Sequence, residues 1–378
     1  MDPKKKFYLF KQSKNFCSVP WNHIKVEMDG KILTCVNGEH KLGHLSDNTI
    51  NEIVNDWSAK FIRRSLSADK STYNCFKCTG QEVEGTEYKF LRDLYNPMFI
   101  KSDINYFDDE DFKLSAIDLH WSSTCNLKCV TCWADQSSAI AQEEGKKILH
   151  TTDDQADQII ELIRDRQFDM KEIYLSGGEP TLIKHNLRLL KQLDKSIDCT
   201  FRVNTNMMFE QNNPVIEELK KFKNVLVTIS ADAIGDRFEY IRRGATWKRF
   251  INNLDYFRSQ TNFQLRLNSV FFVASALNLT DTQEFFHTNY DITDFTINQV
   301  KMGHTNIQCR NLSDKVKQEC IDKIKKHRQQ FIDNKNLVGQ LDNCLLELNR
   351  PKEEDYEPFF ESFKDKIDVN WQEIFTEL

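Results

Sequence analysis

Six short apolar runs, at 115–121, 172–176, 200–204, 225–230, 265–273 and 295–300, are separated by stretches with apolar residues at helical spacing, at about 152–166, 184–194, 214–222, 247–258 and 282–288. Strands that alternate with helices in this way pair as parallel βα units with right-handed crossovers. That restricts residues 113–305 to an α/β barrel or an open sheet. In either architecture ligands gather at the C-terminal ends of the strands. The residues just after each run are therefore where chemistry is sought.

The first run leads into CNLKCVTC, which places Cys125, Cys129 and Cys132 within eight residues. Three thiolates on one loop suit a soft metal centre and leave a coordination position for a reactant. Spacing alone serves an iron-sulfur cluster, a zinc site completed by a distant ligand, or three buried thiols. The second run, EIYLS, leads into Gly177, Gly178, Glu179 and Pro180, which uses two of only 12 glycines. A glycine pair permits unusual φ and lets a ligand approach bare backbone, and the glutamate offers an acceptor to a cationic amine. By itself the tetrapeptide also reads as an ordinary turn. Because it follows the second strand, it is expected beside the cysteine loop at one mouth.

The chain of 378 residues holds 11 cysteines. The basic start MDPKKKFYLF is followed by no apolar segment of a secretory signal, so a cytoplasmic location is expected and an odd thiol count does not read as a disulfide framework. Cys199, Cys309, Cys320 and Cys344 are scattered and expected in the core; Cys320 shares a helical face with Val316, Ile324 and Phe331 behind Ser313 as N-cap. Cys17, Cys35, Cys75 and Cys78 fall in a small unit at 1–85. There HIKVEMDGKILTC reads as a hairpin with Asp29-Gly30 as a two-residue turn, pairing Val26 with Leu33 and Ile24 with Cys35. One helix is predicted behind it from Ile50, Ile53, Val54, Trp57 and Phe61. Residues 86–112 read as a helix and linker connecting to the core at 113–305, and 306–378 as a charged helical extension. A formal net charge of −6 gives no basic surplus for nucleic acid, and no stretch approaches the ~20 apolar residues of a membrane span.

CxxxCxxC after the first strand and GGEP after the second resemble the radical S-adenosylmethionine (radical SAM) superfamily over about 113–305. The resemblance implies a partial (β/α)6 TIM-type barrel, a 4Fe-4S cluster on Cys125, Cys129 and Cys132, and SAM on its open iron. Gly177, Gly178 and Glu179 would hold the SAM amino group. RVNTNM at 202–207 is similar to the segment after the third strand and suggests Asn206; TISADA at 228–233 suggests Ser230 and Asp232 at the ribose; EYIRRG at 239–244 suggests Arg242, rather than Arg243, at the carboxylate. Read as residues alone, Ser230 and Asp232 also suit a helix cap, and either arginine a solvated charge. Where many members carry an aromatic residue before the third cysteine, this chain has Thr131, with Trp133 after it, either against the adenine or in the core.

Cys17 and Cys35, with Pro20-Trp21 and Gly30 between them and CFKC at 75–78 after them, resemble the SPASM/Twitch auxiliary-cluster domains. That implies a second 4Fe-4S site of four cysteines, with structural zinc as the alternative. Such domains usually follow the barrel; this one precedes it. The activity implied is reductive cleavage of SAM to a 5′-deoxyadenosyl radical that abstracts hydrogen from a peptide, a protein or a small molecule, with a reductase such as flavodoxin or ferredoxin supplying the electron. The auxiliary site would accept an electron or bind substrate. Whether the reaction falls among oxidoreductases or transferases is not carried by these motifs. The rival readings are a non-catalytic iron-sulfur or zinc protein using the barrel as a binding module, and a non-radical methyltransferase, which has no use for three cysteines on one loop.

Overall fold

The computed structural model describes residues 3–38, 40–75, 78, 92, 95–97, 112–300 and 305–378. All six expected strands form: β4 (Ala116–Leu119), β5 (Glu172–Leu175), β6 (Thr200–Thr205), β7 (Asn224–Ser230), β8 (Gln264–Phe271) and β9 (Phe295–Gln299). Each pairs in parallel with the next. Ile117, Ile173, Phe201, Val225 and Val227 lie on one face, fully buried, while the register lines up Asp118, Tyr174 and Arg202 on the other. Alternation of this kind marks a sheet with one packed face and one polar face, the curved α/β sheet of a partial barrel.

The hairpin at the amino terminus does not stand apart. β1 (His23–Val26) pairs in parallel with β4, with Ile24 opposite Ile117 and Val26 opposite Leu119. β2 (Lys31–Leu33) and β3 (Lys41–His44) continue outward, giving one nine-stranded sheet in the order β3-β2-β1-β4-β5-β6-β7-β8-β9. The open edge of β4 would otherwise present unpaired N–H and C=O groups. Covering it before the barrel begins is how a unit that precedes the barrel docks onto it.

The hairpin differs from the expected register. Val26 pairs with Ile32 and Lys25 with Leu33, and a three-residue connection of Met28, Asp29 and Gly30 replaces the two-residue turn. Gly30 takes φ 86°, and Asp29 accepts a hydrogen bond from Lys31 N at 3.1 Å. This register sends Ile32, rather than Leu33, into the core beside Val26.

Helices α1 (Pro3–Lys11) and α2 (Val19–Asn22) precede β1. The single helix predicted from Ile50 to Phe61 is two, α3 (Ile50–Asn55) and α4 (Trp57–Ser67), because Asp56 is extended (ψ 165°) and its carboxylate caps α4. The break rotates Trp57 and Phe61 out of the core, where they stack at 5.3 Å in solvent. In the barrel come α5 (Ser138–Glu143), α6 (Asp153–Asp165), α7 (Lys184–Gln192), α8 (Pro214–Leu219), α9 (Gly235–Ile241), α10 (Trp247–Gln260) and α11 (Leu279–Tyr290). Of these, α5 and α9 lie in stretches too short for their period to be read. The extension forms α12 (Asp314–Gln330), α13 (Lys335–Leu348), α14 (Glu357–Glu361) and α15 (Trp371–Ile374). α13 closes the far edge of the sheet: Gln340 accepts from Ile297 N at 2.6 Å and donates to Phe295 O at 3.0 Å, in place of a further strand. Cys199, Cys309, Cys320 and Cys344 are buried as expected of scattered free thiols, and Ser313 caps α12. Most of the connector expected at 86–112 lies outside the described residues.

Candidate functional site

After β4 the chain runs through a fully buried Trp121 into the cysteine loop. The loop forms no helix or strand, so its backbone groups must be satisfied by other segments. Ser138 Oγ accepts from Cys125 N and donates to Cys125 O, both at 3.0 Å, and Ser137 Oγ donates to Leu127 O at 2.6 Å. Lys128 N donates to Arg243 O and Val130 N to Ile241 O, each at 2.9 Å, and Asn126 Nδ2 donates to Met208 O at 2.8 Å. Leu127 and Val130 point into the core, while Cys125, Cys129 and Cys132 stay half-buried. Burial and the neighbouring thiols push Cys132 up to about 12; burial does the same to Cys125, and it raises Cys129 against the opposing charge of Arg242. Burial raises the core thiols Cys199, Cys309, Cys320 and Cys344 in the same way, so these shifts report burial of the loop thiols and do not single them out.

The Gly-Gly-Glu-Pro turn is packed backbone to backbone against this loop. Gly178 N donates to Ser122 O at 3.0 Å and Glu179 N to Thr124 O at 2.7 Å. A Cβ on Gly178 would lie 2.3 Å from Thr124 O, and Gly177 takes φ 121° with Ser122 O 2.6 Å from where its Cβ would be. The missing side chains are used to bring the two motifs together. Glu179 is buried and accepts from Thr181 N (3.2 Å), Thr181 Oγ1 (2.7 Å), Thr205 Oγ1 (2.9 Å) and Asn206 N (2.8 Å). Burial pushes its carboxyl up, and those donors restrain the rise.

Asn206, at the end of β6, joins the same network. Its Nδ2 donates to Asn126 Oδ1 at 2.9 Å and lies 3.8 Å from Cys125 Sγ. Met207 takes φ 64°, an uncommon conformation held by Asn253 Nδ2 donating to Met207 O and Phe209 O at 2.6 and 2.9 Å. Ser230 ends β7. Asp232 is buried, accepting from Val270 N at 2.7 Å and pairing with Arg242 Nη2 at 2.9 Å. It is no helix cap, since the N-cap of α9 is Ile234 and no side chain bonds there. Arg242 is buried near Cys129, and its Nε has no hydrogen-bond partner among the described residues. Arg243 points the other way, to Glu143 at 2.9 and 3.0 Å. Trp133 is 47% exposed, so it is not a core residue.

Sequence reasoning missed Ser137, Ser138, Asn126, Thr205 and Asn253, polar residues that hold the loop and strand ends. It also missed His120, which follows β4 and faces the position a Gly177 side chain would take. His120 Nδ1 meets Glu27 at 3.2 Å, and Glu27 meets Lys25 Nζ at 2.6 Å, so the amino-terminal hairpin reaches the same end of the sheet.

Cys17, Cys35, Cys75 and Cys78 line one pocket of about 500 Å³, counting the part open to solvent, with Val19, Pro20, Asn74 and Arg92 among its walls. Asn37 Nδ2 lies 3.6 Å from Cys78 Sγ and Thr72 Oγ1 3.5 Å from Cys75 Sγ. Burial, with the other thiols, pushes Cys17 well up and Cys35 to about 12. Among the described residues no group of His, Cys, Asp and Glu side chains closes around a single ion.

Residues 119–266 match the sequence model of the Radical SAM superfamily, and residues 17–79 match that of an iron-sulfur cluster-binding domain, SPASM. The chain carries a radical SAM domain and a SPASM domain. A radical SAM domain implies a 4Fe-4S cluster and SAM as cofactors, and a SPASM domain implies auxiliary iron-sulfur chemistry. No curated protein matches the chain. Among solved structures, native anSMEcpe with bound AdoMet is 17% identical with a TM-score of 0.45, over 59% of this chain and 62% of that one. SuiB of Streptococcus suis bound to S-adenosylmethionine is 15% identical with a TM-score of 0.43, over 86% and 67%. SuiB bound to the precursor peptide SuiA is 14% identical with a TM-score of 0.44, over 83% and 70%. The chain spans about three fifths of the length of the anSMEcpe structures. Among the described residues no helix is long and apolar enough to cross a membrane.

Proposed function

We propose that this protein is a radical SAM enzyme whose cluster is held by Cys125, Cys129 and Cys132, whose SAM is held by Gly177, Gly178, Glu179, Asn206, Ser230, Asp232 and Arg242, and whose auxiliary cluster is held by Cys17, Cys35, Cys75 and Cys78. The observation that carries the reading is the backbone contact of Gly178 with Ser122 and Thr124, which joins two motifs more than 40 residues apart into one mouth. When bound, the cluster and SAM supply reductive cleavage to a 5′-deoxyadenosyl radical that takes hydrogen from substrate.

The chain's own residues position and screen. Glu179 fixes the glycine turn through Thr181, Thr205 and Asn206, and its carboxyl would serve as the acceptor for the SAM amine. Asp232 orients Arg242 and leaves its Nε available to an anionic group such as the SAM carboxylate. The polar face of the sheet, with Asn204, Ser230, Asn268 and Asn298, provides hydrogen bonds for a polar substrate at the strand ends. The division into an auxiliary unit at 1–85, a connector at 86–112, a core at 113–305 and an extension at 306–378 belongs to the same proposal. So do a peptide or protein substrate, suggested by the peptide-bound SuiB and anSMEcpe structures, a flavodoxin or ferredoxin as reductant, and a reducing cytoplasmic setting suited to free thiols.

Protein reconstituted anaerobically with iron and sulfide and then reduced is expected to convert SAM to 5′-deoxyadenosine and methionine. A fully loaded protein that yields neither product overturns the reading.

A further inference from the structure

The helix whose last turn grips the cysteine loop is short and uncapped. α9 has seven residues and no side-chain N-cap, too little to persist without tertiary support. Yet its end supplies Ile241 O and Arg243 O to the loop amides of Val130 and Lys128, and the Arg242 that pairs with Asp232 beside Cys129. Gly244 follows with φ 96°, where a Cβ would already touch Leu127.

The support comes from the far end of the chain. Arg237 on α9 is paired through both terminal nitrogens with Glu377, Nη2 to Oε2 at 2.7 Å, and lies over the Phe375 ring. Tyr240 meets Phe375 edge-on at 5.3 Å, and Phe360 stacks on Trp371 at 4.8 Å behind them. Phe360 and Phe375 are fully buried. A second contact reaches the loop directly. Glu143 on α5 receives Lys128 from the loop at 2.9 Å, Arg243, and Lys366 at 3.8 Å, while Arg243 Nη1 also donates to Lys366 O at 3.4 Å.

We propose that residues 356–378 are the positioning element of the cysteine loop, acting through α9 and through Glu143. Arg237, Tyr240, Phe375 and Glu377 touch no reacting group; they set where the loop amides and Arg242 stand relative to the glycine turn. The proposal takes from the SAM-cleaving reading only that the loop is where SAM binds.

The test compares wild type, Arg237→Glu, and the charge-swapped Arg237→Glu with Glu377→Arg, with two readouts. Amide hydrogen exchange at Lys128 and Val130, measured on the protein without added SAM, is expected to quicken in Arg237→Glu and to return toward wild type in the swapped pair. The Kd for SAM on the reconstituted protein is expected to rise about tenfold in Arg237→Glu and to recover in the swap, as supporting residues outside a metal site commonly act. Wild-type exchange and wild-type SAM affinity in a folded Arg237→Glu protein overturn the proposal, and so does a swapped pair that folds but recovers neither readout. If Arg237→Glu does not fold, the swapped pair decides alone: wild-type values support the brace, and fast exchange with weak SAM binding rejects it. Failure of the wild type to bind SAM would count against the SAM-cleaving reading, and the exchange arm would still decide the brace.

Discussion

The cysteine loop and the residues leading into it, 122–130, take their hydrogen bonds from the start of α5, the glycine turn, the end of β6 and the end of α9, whereas the pocket of Cys17, Cys35, Cys75 and Cys78 gathers its thiols from three stretches of a small unit. The loop stands preformed on the barrel. The pocket rests on a small cluster of Leu9, Phe16, Trp21, Ile62 and Leu66, with Cys17 and Cys75 packed against it, and its thiols converge from separate segments, so a bound metal would add to its closure. On the proposed assignment, the first site would be shaped for exchange of a reactant, and metal bound in the second would also be structural.

The largest effect that would break this contrast is in catalysis. Cys129→Ala is expected to abolish 5′-deoxyadenosine formation while lowering Tm by only about 2–4 °C, the scale of roughly 1 kcal/mol in a domain of this size. Retained turnover removes Cys129 from the ligand set. Cys75→Ala is expected to do the reverse in stability, loosening residues 17–79, which limited proteolysis would report. Next comes removal of metal from the wild type. Structural metal sites supply on the order of 10 kcal/mol to small units. Chelation should therefore strip exchange protection from β2, β3 and α4 while β5 to β8 keep theirs; uniform loss across both would erase the distinction.

Much of this was legible because the residues carry local signals. The six barrel strands follow from β-branched runs bounded by turns, and the cysteine and glycine motifs from residue types with few other uses. What was not legible depends on distant partners. The hairpin register is decided by Ile32 reaching the core, and a two-residue turn at Asp29-Gly30 is locally just as good. Trp57 and Phe61 fit the helical period of Ile50 and Val54, and only Asp56 acting as a cap breaks it. The choice of Arg242 over Arg243 for the SAM carboxylate was drawn from resemblance; what no local signal carried is that Arg242 is buried against Asp232 while Arg243 turns to Glu143. Ser137, Ser138 and Asn253 carry no motif, because a hydroxyl or amide that satisfies a loop can come from any segment that happens to pass.

A middle-sized effect sharpens how the loop is preformed. Gly178→Ala places a Cβ at 2.3 Å from Thr124 O, backbone that cannot swing aside. Overpacking of this kind costs about 1–3 kcal/mol. Urea unfolding is expected to show that loss together with weaker SAM binding, because the strain is relieved by moving the loop and the turn apart. Unchanged stability with lost SAM binding would mean that the glycine serves the ligand alone.

The smallest effect lies at the seam between the two regions. Glu27 on the hairpin reaches His120 after β4 and Lys25 on β1; burial alone would push its carboxyl up, but hydrogen bonds from His120 and Lys25 overcome that and hold it at about 2. A carboxyl depressed by folding stabilises the protein fully above its unfolded value near 4.5, and the contribution fades as pH falls toward 2. With a quarter of the side chain in solvent, about 1 kcal/mol is the reasonable scale. Glu27→Gln should therefore be less stable than wild type by that amount at pH 6, and the gap should narrow steadily between pH 4.5 and 3. A gap that stays constant to pH 3 would mean that the side chain acts by shape rather than charge, and the hairpin would then be joined to the barrel by its β1 to β4 ladder without electrostatic help.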